Sequence, residues 1–228
     1  DNLMQIEAFF LGQAGLLDTA AIPERYQQQA LNDSYFTELK SEYQYLAHKF
    51  GLQAMDANQW RFLRLRPQNF PHIRIAQLAR LYYEQRAGLS QLLECESVKQ
   101  VRELLATQVT HYWETHYVFG EESAKSEKKL SAASLNLQII NTVAPILFAY
   151  GKHKNAEKYC ERAFDFLETL KAEENHIVRM WKEVGLIVET AGDSQALIQL
   201  KKEYCDRKDC LRCRIGYEYL KGSSSIKG

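Results

Sequence analysis

The stretch Leu135-Asn136-Leu137-Gln138-Ile139-Ile140-Asn141-Thr142-Val143-Ala144-Pro145-Ile146-Leu147-Phe148 decides the fold of this chain. Its apolar residues recur almost all the way round a helix, which predicts a central helix that is buried on every side. Pro145 lies inside this helix, where its ring removes a backbone donor and crowds the preceding turn. We therefore expect a kinked helix at the centre of a helical core.

The segments after this helix keep helical spacing and are joined by short links. Residues 151–154 form one tight link, residues 172–175 form another, and residues 192–194 read as a stop followed by a cap. No repeated sequence signature accompanies this pattern. Residues 131–204 thus predict successive antiparallel helical hairpins, in a solenoid-like or orthogonal bundle array.

The chain before residue 119 is predicted to be helical as well. Asn2 is a cap for a first helix, Pro23 suits the first turn of a second, and Gly51 ends the apolar-periodic segment that follows. Ser97 is a cap for a longer helix that continues to His116. With only 4 prolines and 11 glycines, the composition disfavours an all-β chain. We predict an all-α fold of about nine helices.

The most polar run of the chain separates its two parts. Residues 120–129 read Gly-Glu-Glu-Ser-Ala-Lys-Ser-Glu-Lys-Lys, which is typical of a solvated, mobile loop. We expect an N-terminal helical part over residues 1–119, the loop over 120–130 and the hairpin array over 131–220. A disordered tail should occupy residues 221–228, which are rich in glycine and serine.

The charges of the chain balance. There are 29 basic and 29 acidic residues, so the net charge is zero, and 46% of the residues are hydrophobic. Neutrality removes any whole-molecule attraction to nucleic acid or an anionic membrane, so such binding would need a local patch. No stretch approaches the roughly 20 uninterrupted apolar residues of a membrane helix. We therefore expect no membrane contact.

The ends and the cysteines of the chain bear on its location. The N-terminus lacks the basic region of a signal peptide, and it begins with Asp1 rather than methionine, which predicts a fragment or a processed product. Five cysteines is an odd number, and three of them are crowded together. This pattern favours a reducing compartment over a secreted disulfide scaffold, so we expect a cytoplasmic protein.

Three cysteines near the C-terminus form the most chemical-looking motif. Cys205, Cys210 and Cys213 are separated by four and two residues, and thiolates at such spacing bind zinc or iron–sulfur clusters. The motif predicts such a site, with a fourth ligand that is missing locally. The alternative is that they are small buried thiols at a helix end and in a turn. By residue type alone, the candidate fourth ligands are Cys160, Cys95, His153 and His176.

A second motif is rich in arginine. Between Trp60 and Arg80 there are five arginines and no acidic residue, and aromatic side chains are interleaved among them. Guanidinium groups match phosphate oxygens and stack on bases, so this stretch is a candidate anion or nucleic-acid surface. The alternative, which the neutral charge favours, is that these arginines pair with acids on neighbouring helices. The candidate residues are Arg61, Arg64, Arg66 and Arg74.

No motif of the chain predicts a catalytic residue. A glycine-rich phosphate loop, a nucleophile elbow and a nucleophile–His–Asp pattern are all missing from the sequence. The segment from His111 to His116 lacks the i, i+4 histidine pair of a zinc protease helix and reads as an aromatic helix face. The chain alone is therefore not expected to be an enzyme.

Several segments of the chain resemble one known family. They are QIEAFFLGQAGLL over residues 5–17, RLRPQNFP over 64–71, NTVAP over 141–145 and SQALIQLK over 194–201. Together they resemble the bacterial family catalogued as domain of unknown function 2851. The resemblance implies no established activity.

The resemblance also implies a missing half. Longer members carry an N-terminal half with Gly-Pro-Asp-Phe and Gly-Asn-Val-Glu-Ile-His segments, similar to the acidic core of restriction-nuclease-type folds. Some nucleases of that class carry a C-terminal cysteine cluster as a staple, with one ligand distant in sequence. This chain would then be the helical C-terminal half, without the carboxylates.

Two functions are consistent with these observations. The first is a non-catalytic helical interaction or structural module, which contacts a protein partner or the missing N-terminal half. The alternative is an accessory domain of a nucleic-acid-processing, nuclease-like enzyme. In that case the arginines would contact phosphates and the cysteines would hold a metal.

Overall fold

The computed structural model describes residues 2–224, and most of them are helical. The helices exceed the predicted number of about nine, because several predicted long helices are divided. The structure also contains a small antiparallel β-hairpin, which is formed by β1 (His116–Val118) and β2 (Glu121–Glu122). The α-helices are Leu3–Gln13 (α1), Glu24–Asn32 (α2), Ser34–Phe50 (α3), Pro71–Tyr83 (α4), Leu89–Glu94 (α5), Val98–Leu105 (α6), His111–Thr115 (α7), Ala132–Gln138 (α8), Ala144–Lys154 (α9), Glu157–Thr169 (α10), His176–Glu183 (α11), Ala191–Leu200 (α12) and Arg214–Ser224 (α13).

Local capping signals place several helix ends where the sequence predicts them. Asn2 accepts a hydrogen bond from the Met4 N–H at 3.1 Å at the start of α1. Gly51 ends α3 in the left-handed region, at φ 64°. Asp33 is extended and caps α3 by accepting the Tyr35 N–H at 2.9 Å. This cap divides the segment between Pro23 and Gly51 into two helices.

The predicted long helix from Ser97 to His116 is wrong. α6 ends at Leu105, α7 begins at His111, and His116 already belongs to β1. The interruption contains the β-branched residues Thr107, Val109 and Thr110, which lose rotamer freedom in a helix. Thr107 and Val109 are buried in this non-helical segment, so tertiary packing stabilises the break.

The chain divides into two compact units. The first comprises Asp1–Cys95 and Gln100–Leu135, and the second comprises Glu96–Lys99 and the chain from Asn136 onward. This division falls inside α8, a few residues beyond the segment 120–130 that was expected to separate the two parts.

Lys128 anchors the segment that was predicted to be a mobile loop. Its side chain is only 2% exposed, and its ammonium group donates to the carbonyl oxygens of Trp113, Glu114 and His116 at 2.5, 3.0 and 3.0 Å. The Gln77 amide donates in turn to the Lys128 carbonyl at 2.8 Å. Residues 120–130 are therefore tied to the first unit.

The core of the first unit forms around α1, which packs against α3 and α4. Gly12 is required at the α1–α3 contact, since a Cβ atom there would lie 2.1 Å from the ring of Tyr43. The indole of Trp60 donates to the Ala14 carbonyl at 2.8 Å and closes the segment after α3 over α1. The largest fully buried side chains of this core include Leu11, Phe36, Ile73, Trp113 and Phe119.

The second unit is built of short helices joined by tight turns. α9 and α10 pack side by side, and α12 packs against both α10 and α11. Gly151 lies at the α9–α10 contact, where a Cβ atom would lie 2.7 Å from the Cys160 sulfur. Thr190 and Asp193 form a capping box at the start of α12, so the cap lies ahead of the predicted stop at residues 192–194.

The helix containing the fold-deciding stretch is not buried on every side. Ile139, Val143 and Leu147 are buried, whereas Leu137 and Ile146 are 47% and 40% exposed. The helix runs from α8 to α9 through a π turn at Ile139–Val143, where the Ala144 N–H donates to the Ile139 carbonyl. This wider turn directly precedes Pro145, whose ring would crowd a regular turn.

This helix also bears on the expectation about membrane segments. Ala132–Lys154 spans 23 residues and contains an 18-residue window with a mean hydropathy of 1.4, of which 33% is buried. By length and composition alone, it is the one helix within residues 2–224 that could cross a membrane. Uncharged polar residues interrupt its apolar run, so the sequence still contains no uninterrupted apolar stretch of membrane length.

The C-terminal segment is helical for longer than predicted. α12 passes into a π turn at Lys201–Cys205, and α13 extends to Ser224. The predicted disordered tail at residues 221–228 thus begins within α13, and residues 225–228 lie outside the described part of the chain.

Candidate functional site

The three clustered cysteines follow α12 and lie in different environments. Cys205 and Cys210 are exposed, whereas Cys213 is buried just before α13. The turn between them is held by backbone bonds, such as that from the Asp209 N–H to the Tyr204 carbonyl at 2.9 Å. Within the described residues, no three His, Cys, Asp or Glu side chains are grouped so that they could hold a metal ion. The structure therefore does not assemble the predicted zinc or iron–sulfur ligands.

The candidate fourth ligands lie on other elements of the chain. Cys160 is buried in α10, and its thiol donates to the Phe148 carbonyl at 3.6 Å. Cys95 is buried in the first unit. His153 and His176 are exposed at the end of α9 and the start of α11. Cys160 therefore acts as a small core residue of the α9–α10 hairpin.

The candidate arginines separate into an exposed group and one packed residue. Arg61, Arg64 and Arg66 are exposed between α3 and α4, and Arg64 has a positive φ of 65°. Among the described residues, none of the three forms an ion pair with an acidic side chain. The alternative of arginines paired with acids on neighbouring helices does not describe this group, which we call the arginine segment.

Arg74 differs from the arginine segment. It lies half-buried in α4, where its guanidinium donates to the Gln77 side chain at 2.9 Å and the Asn69 side chain at 2.5 Å. Burial lowers the pKa of the Arg74 guanidinium below its usual value. These contacts fix the end of the preceding loop on the helix, so Arg74 has a structural role.

A buried polar network in the first unit has no counterpart among the predicted site residues. Glu7 on α1 is 1% exposed, and its carboxyl accepts hydrogen bonds from the Tyr35 hydroxyl and, at 3.2 Å, from the Thr110 hydroxyl. The Tyr35 ring stacks on Tyr112 with centroids 4.2 Å apart, and the Tyr112 hydroxyl donates to Asp33 at 2.7 Å.

The electrostatics of this network follow from its burial. Burial raises the pKa of Glu7 from 4.5 to about 7, and the hydrogen bonds from Tyr35 and Thr110 oppose that rise. Burial also raises the pKa of Tyr35. A carboxyl group that titrates near neutral pH is suited to proton transfer, but Glu7 is enclosed by its own partners in this conformation. Its measurable effect is therefore on stability.

The signal that could have found Glu7 lies in the spacing of α1. Glu7 is four residues from both Leu3 and Leu11, and residues at this spacing share one helix face. A charged residue on an apolar stripe predicts a buried, hydrogen-bonded carboxyl.

The second unit contains an apolar groove between α9 and α10. Its volume is about 230 Å³. The rings of Phe148 and Phe164 stand at the groove with centroids 5.7 Å apart, and they are 37% and 57% exposed. The lining has one polar side chain, Gln195, and consists otherwise of Ile140, Ala144, Pro145, Phe148, Ala163, Phe164 and Leu167.

Two compact units of short helices, one of them with an open apolar groove, define a mainly helical protein. The chain belongs to the family described as protein of unknown function (DUF2851), whose model matches residues 1–176 of 228. This match confirms the resemblance of the segments up to residue 145, and it ends before residues 194–201 and the clustered cysteines. No curated protein and no solved structure matches the chain.

Proposed function

We propose that this chain is a non-catalytic helical interaction module, and that the α9–α10 groove binds an amphipathic helix of a protein partner. The observation that carries this proposal is the exposure of Phe148 and Phe164 beside an almost wholly apolar groove. Two parallel ridges of side chains with an open channel between them suit the apolar face of a third helix.

The polar groups at the groove support a helical partner with a mixed surface. The Lys152 ammonium lies 5.4 Å from the centroid of the Phe148 ring, and Gln195 is the polar side chain of the lining. A cation and an amide beside an apolar channel suit an amphipathic helix, whose apolar face would cover the two phenylalanines.

Photocrosslinking in the cells that naturally produce the protein tests this proposal. A photoreactive phenylalanine analogue replaces Phe164 in the native chain, and the same analogue at Phe50, which is 61% exposed on α3 in the first unit, is the matched control. We expect one discrete adduct with another protein from position 164, and none from position 50.

A second variant gives the crosslinking experiment its specificity. Phe148→Ser should abolish the adduct from position 164 while leaving the helical circular dichroism signal unchanged. No adduct, equal adducts from both positions, or an adduct with a second copy of the chain would contradict the proposal.

The arginine segment supports a second candidate function, a contact with the phosphates of nucleic acid. Arg61, Arg64 and Arg66 are exposed without an acidic partner among the described residues, so their guanidinium groups are available to phosphate oxygens. Fluorescence anisotropy with single- and double-stranded oligonucleotides should then show binding that weakens steeply with salt.

A charge-matched pair of variants tests the arginine contact. Replacing Arg61, Arg64 and Arg66 by serine should lower the salt slope by about 2 to 3. The control replaces three exposed arginines of the second unit that pair with acids, namely Arg207, Arg212 and Arg214. This control should not lower the salt slope. No oligonucleotide binding at low salt, or an equal decrease of the salt slope in both variants, would contradict this candidate function.

We further propose that the chain acts in the cytoplasm, as the C-terminal half of a larger bacterial protein. Five free thiols are consistent with a reducing compartment. Cell fractionation tests this location, since retention of the native protein in carbonate-washed membranes would favour a membrane role for Ala132–Lys154 instead.

A further inference from the structure

The first unit contains a cavity of about 320 Å³, whose lining includes none of the predicted metal-binding or anion-binding residues. Its walls come from separate parts of the unit: α2, the loop that precedes α4, the start of α4 and the turn of the β-hairpin. Five of its eleven lining residues carry aromatic rings. The lining residues are Ala21, Ile22, Pro23, Arg25, Tyr26, Phe62, Phe70, His72, Val118, Phe119 and Glu121.

His72 is the unusual member of this wall. It is 5% exposed, and its Nδ1 atom is buried without a hydrogen-bond partner in the described structure. Its ring lies 5.7 Å from Phe62, 5.7 Å from Trp113 and 5.3 Å from Phe119, measured between centroids. Buried polar groups in folded proteins normally have a hydrogen-bond partner. We therefore expect this imidazole to have a partner that is not part of the chain.

The protonation state of His72 defines what it can recognise. Burial lowers the pKa of His72 from 6.5 to about 3, so the ring is neutral at physiological pH. A neutral imidazole offers one donor and one acceptor. It therefore matches a hydroxyl or a ring N–H, and it carries no charge with which to attract an anion.

The rim of the cavity is polar, whereas its walls are aromatic and aliphatic. The Tyr26 hydroxyl donates to the Glu121 carboxylate at 2.5 Å, and the Arg25 guanidinium lies 4.6 Å from the Tyr26 ring centroid. These groups engage one another at the open side, which leaves the rings of Phe62 and Phe119 to contact the occupant.

We propose that this cavity binds a small planar aromatic molecule of one or two rings, with one hydroxyl or N–H group that pairs with the His72 imidazole. The rings of Phe62, Phe70 and Phe119 supply flat surfaces for stacking against such a molecule. The volume is at the lower end of the range for small-molecule sites, which limits the occupant to this size.

Two pairs of probes test the proposal by isothermal titration calorimetry at neutral pH. Phenol is compared with toluene, and indole with indene, because the members of each pair have similar shape and differ in the polar group. The wild-type protein should bind phenol and indole about tenfold more tightly than their apolar counterparts, the worth of one hydrogen bond.

Two variants connect the binding to the cavity and to the imidazole. His72→Phe should weaken phenol and indole about tenfold and leave toluene and indene nearly unchanged, since the ring stays and only its nitrogens are lost. Ala21→Trp fills the cavity from its wall and should abolish binding of all four probes. Circular dichroism checks that both variants fold, and His72→Gln, which keeps a donor and an acceptor, serves if His72→Phe does not.

Three results would overturn the proposal. One is that no probe binds the wild-type protein, as expected if water alone fills the cavity. Another is that each polar probe binds no better than its apolar counterpart. The third is that phenol binds equally well to the wild-type protein and to the variant without the imidazole.

Discussion

The burial of each cysteine predicts how fast its thiol reacts in the folded protein. Cys205 and Cys210 are exposed, whereas Cys95, Cys160 and Cys213 are 8%, 1% and 7% exposed. Because alkylation needs an accessible thiolate, N-ethylmaleimide should label the exposed pair at least about tenfold faster than the other three. Mass spectrometry of peptides after timed labelling measures each rate.

Two further measurements complete the cysteine experiment. In denaturant all five thiols should react alike, which controls for intrinsic reactivity. Slow labelling of Cys205 and Cys210 in the native protein that becomes fast on adding a chelator would mean that a metal ion protects them. That outcome would contradict the arrangement of the thiols in the structure.

The sequence and the structure agree about single residues only where the interaction is local. Asn2 and Gly51 act on their own helix ends, so their roles could be predicted from neighbours in the chain. The partners of Glu7 are different, since Tyr35 and Thr110 lie 28 and 103 residues away. Spacing alone can predict that Glu7 is buried, but only tertiary packing supplies the groups that satisfy it.

The β-hairpin and the chain after it depend on one lysine. Lys128→Met keeps the aliphatic length but leaves three buried or partly buried carbonyl groups without their donor. We expect the free energy of unfolding to fall by about 2–4 kcal/mol, measured by urea denaturation followed by circular dichroism.

The neighbouring lysine is the matched control for this variant. Lys129 is exposed, and among the described residues it pairs only with the exposed Glu127, at 2.7 Å. Lys129→Met should therefore change the stability by less than about 0.5 kcal/mol. Equal effects of the two substitutions would show that Lys128 does not anchor the segment.

The α9–α10 hairpin requires a close approach of its two helices. A Cβ atom at Gly151 would lie 2.7 Å from the Cys160 sulfur and 3.0 Å from the Ala156 carbonyl oxygen. Gly151→Ala should therefore destabilise the protein by about 1–3 kcal/mol. Gly222→Ala in α13 meets nothing within 4 Å and should leave the stability unchanged or raise it by up to about 1 kcal/mol. Thermal unfolding compares the two variants, and a neutral Gly151→Ala would contradict the tight contact.

The periodicity of apolar residues predicted well which segments are helical, but it predicted the lengths of the helices poorly. The helix expected from Ser97 to His116 has adequate apolar spacing, yet the chain is not helical around Thr107 and Val109, whose burial outweighs the helical pattern. The long helix around Pro145 was predicted, but not its exposed side. Which face is covered depends on neighbours that are distant in the sequence.

Across the whole molecule, two buried groups should have opposite effects on how stability depends on pH. The raised pKa of Glu7 lets the folded chain hold a proton that the unfolded chain loses above about pH 4.5, so this group destabilises the fold as pH rises toward 7. The lowered pKa of His72 keeps the folded chain from binding a proton that the unfolded chain binds below pH 6.5, so this group destabilises the fold as pH falls.

Removing either group should expose the effect of the other. Between about pH 4.5 and 6.5 the two contributions cancel in the wild-type protein, at up to about 1.4 kcal/mol per pH unit each. Glu7→Gln should therefore gain stability with rising pH in this window, and His72→Phe should lose it. Urea denaturation at several pH values measures both slopes, and identical profiles for the two variants would contradict the opposite signs.

The overall class of the molecule was within reach of the sequence, whereas its sites were not. Helix-forming composition is a property of each segment, so the mainly helical fold was predictable. The convergence of Cys205, Cys210 and Cys213 depends on which way each side chain faces, and spacing does not determine that. The cavity beside His72 is lined by residues from several separate segments, so no single sequence motif predicts it.

The enclosure of Lys128 has a consequence for proteases. Trypsin must draw a lysine side chain into its acidic specificity pocket before it cuts the following bond. Residues 121–130 offer it Lys125 and Lys129, which are exposed, and Lys128, whose ammonium group already lies among three carbonyl oxygens. Brief digestion of the native protein should nick the chain after Lys125 and Lys129 and spare the bond after Lys128. The ends of the fragments then show whether the Lys128 side chain is held by these carbonyl oxygens in the native protein.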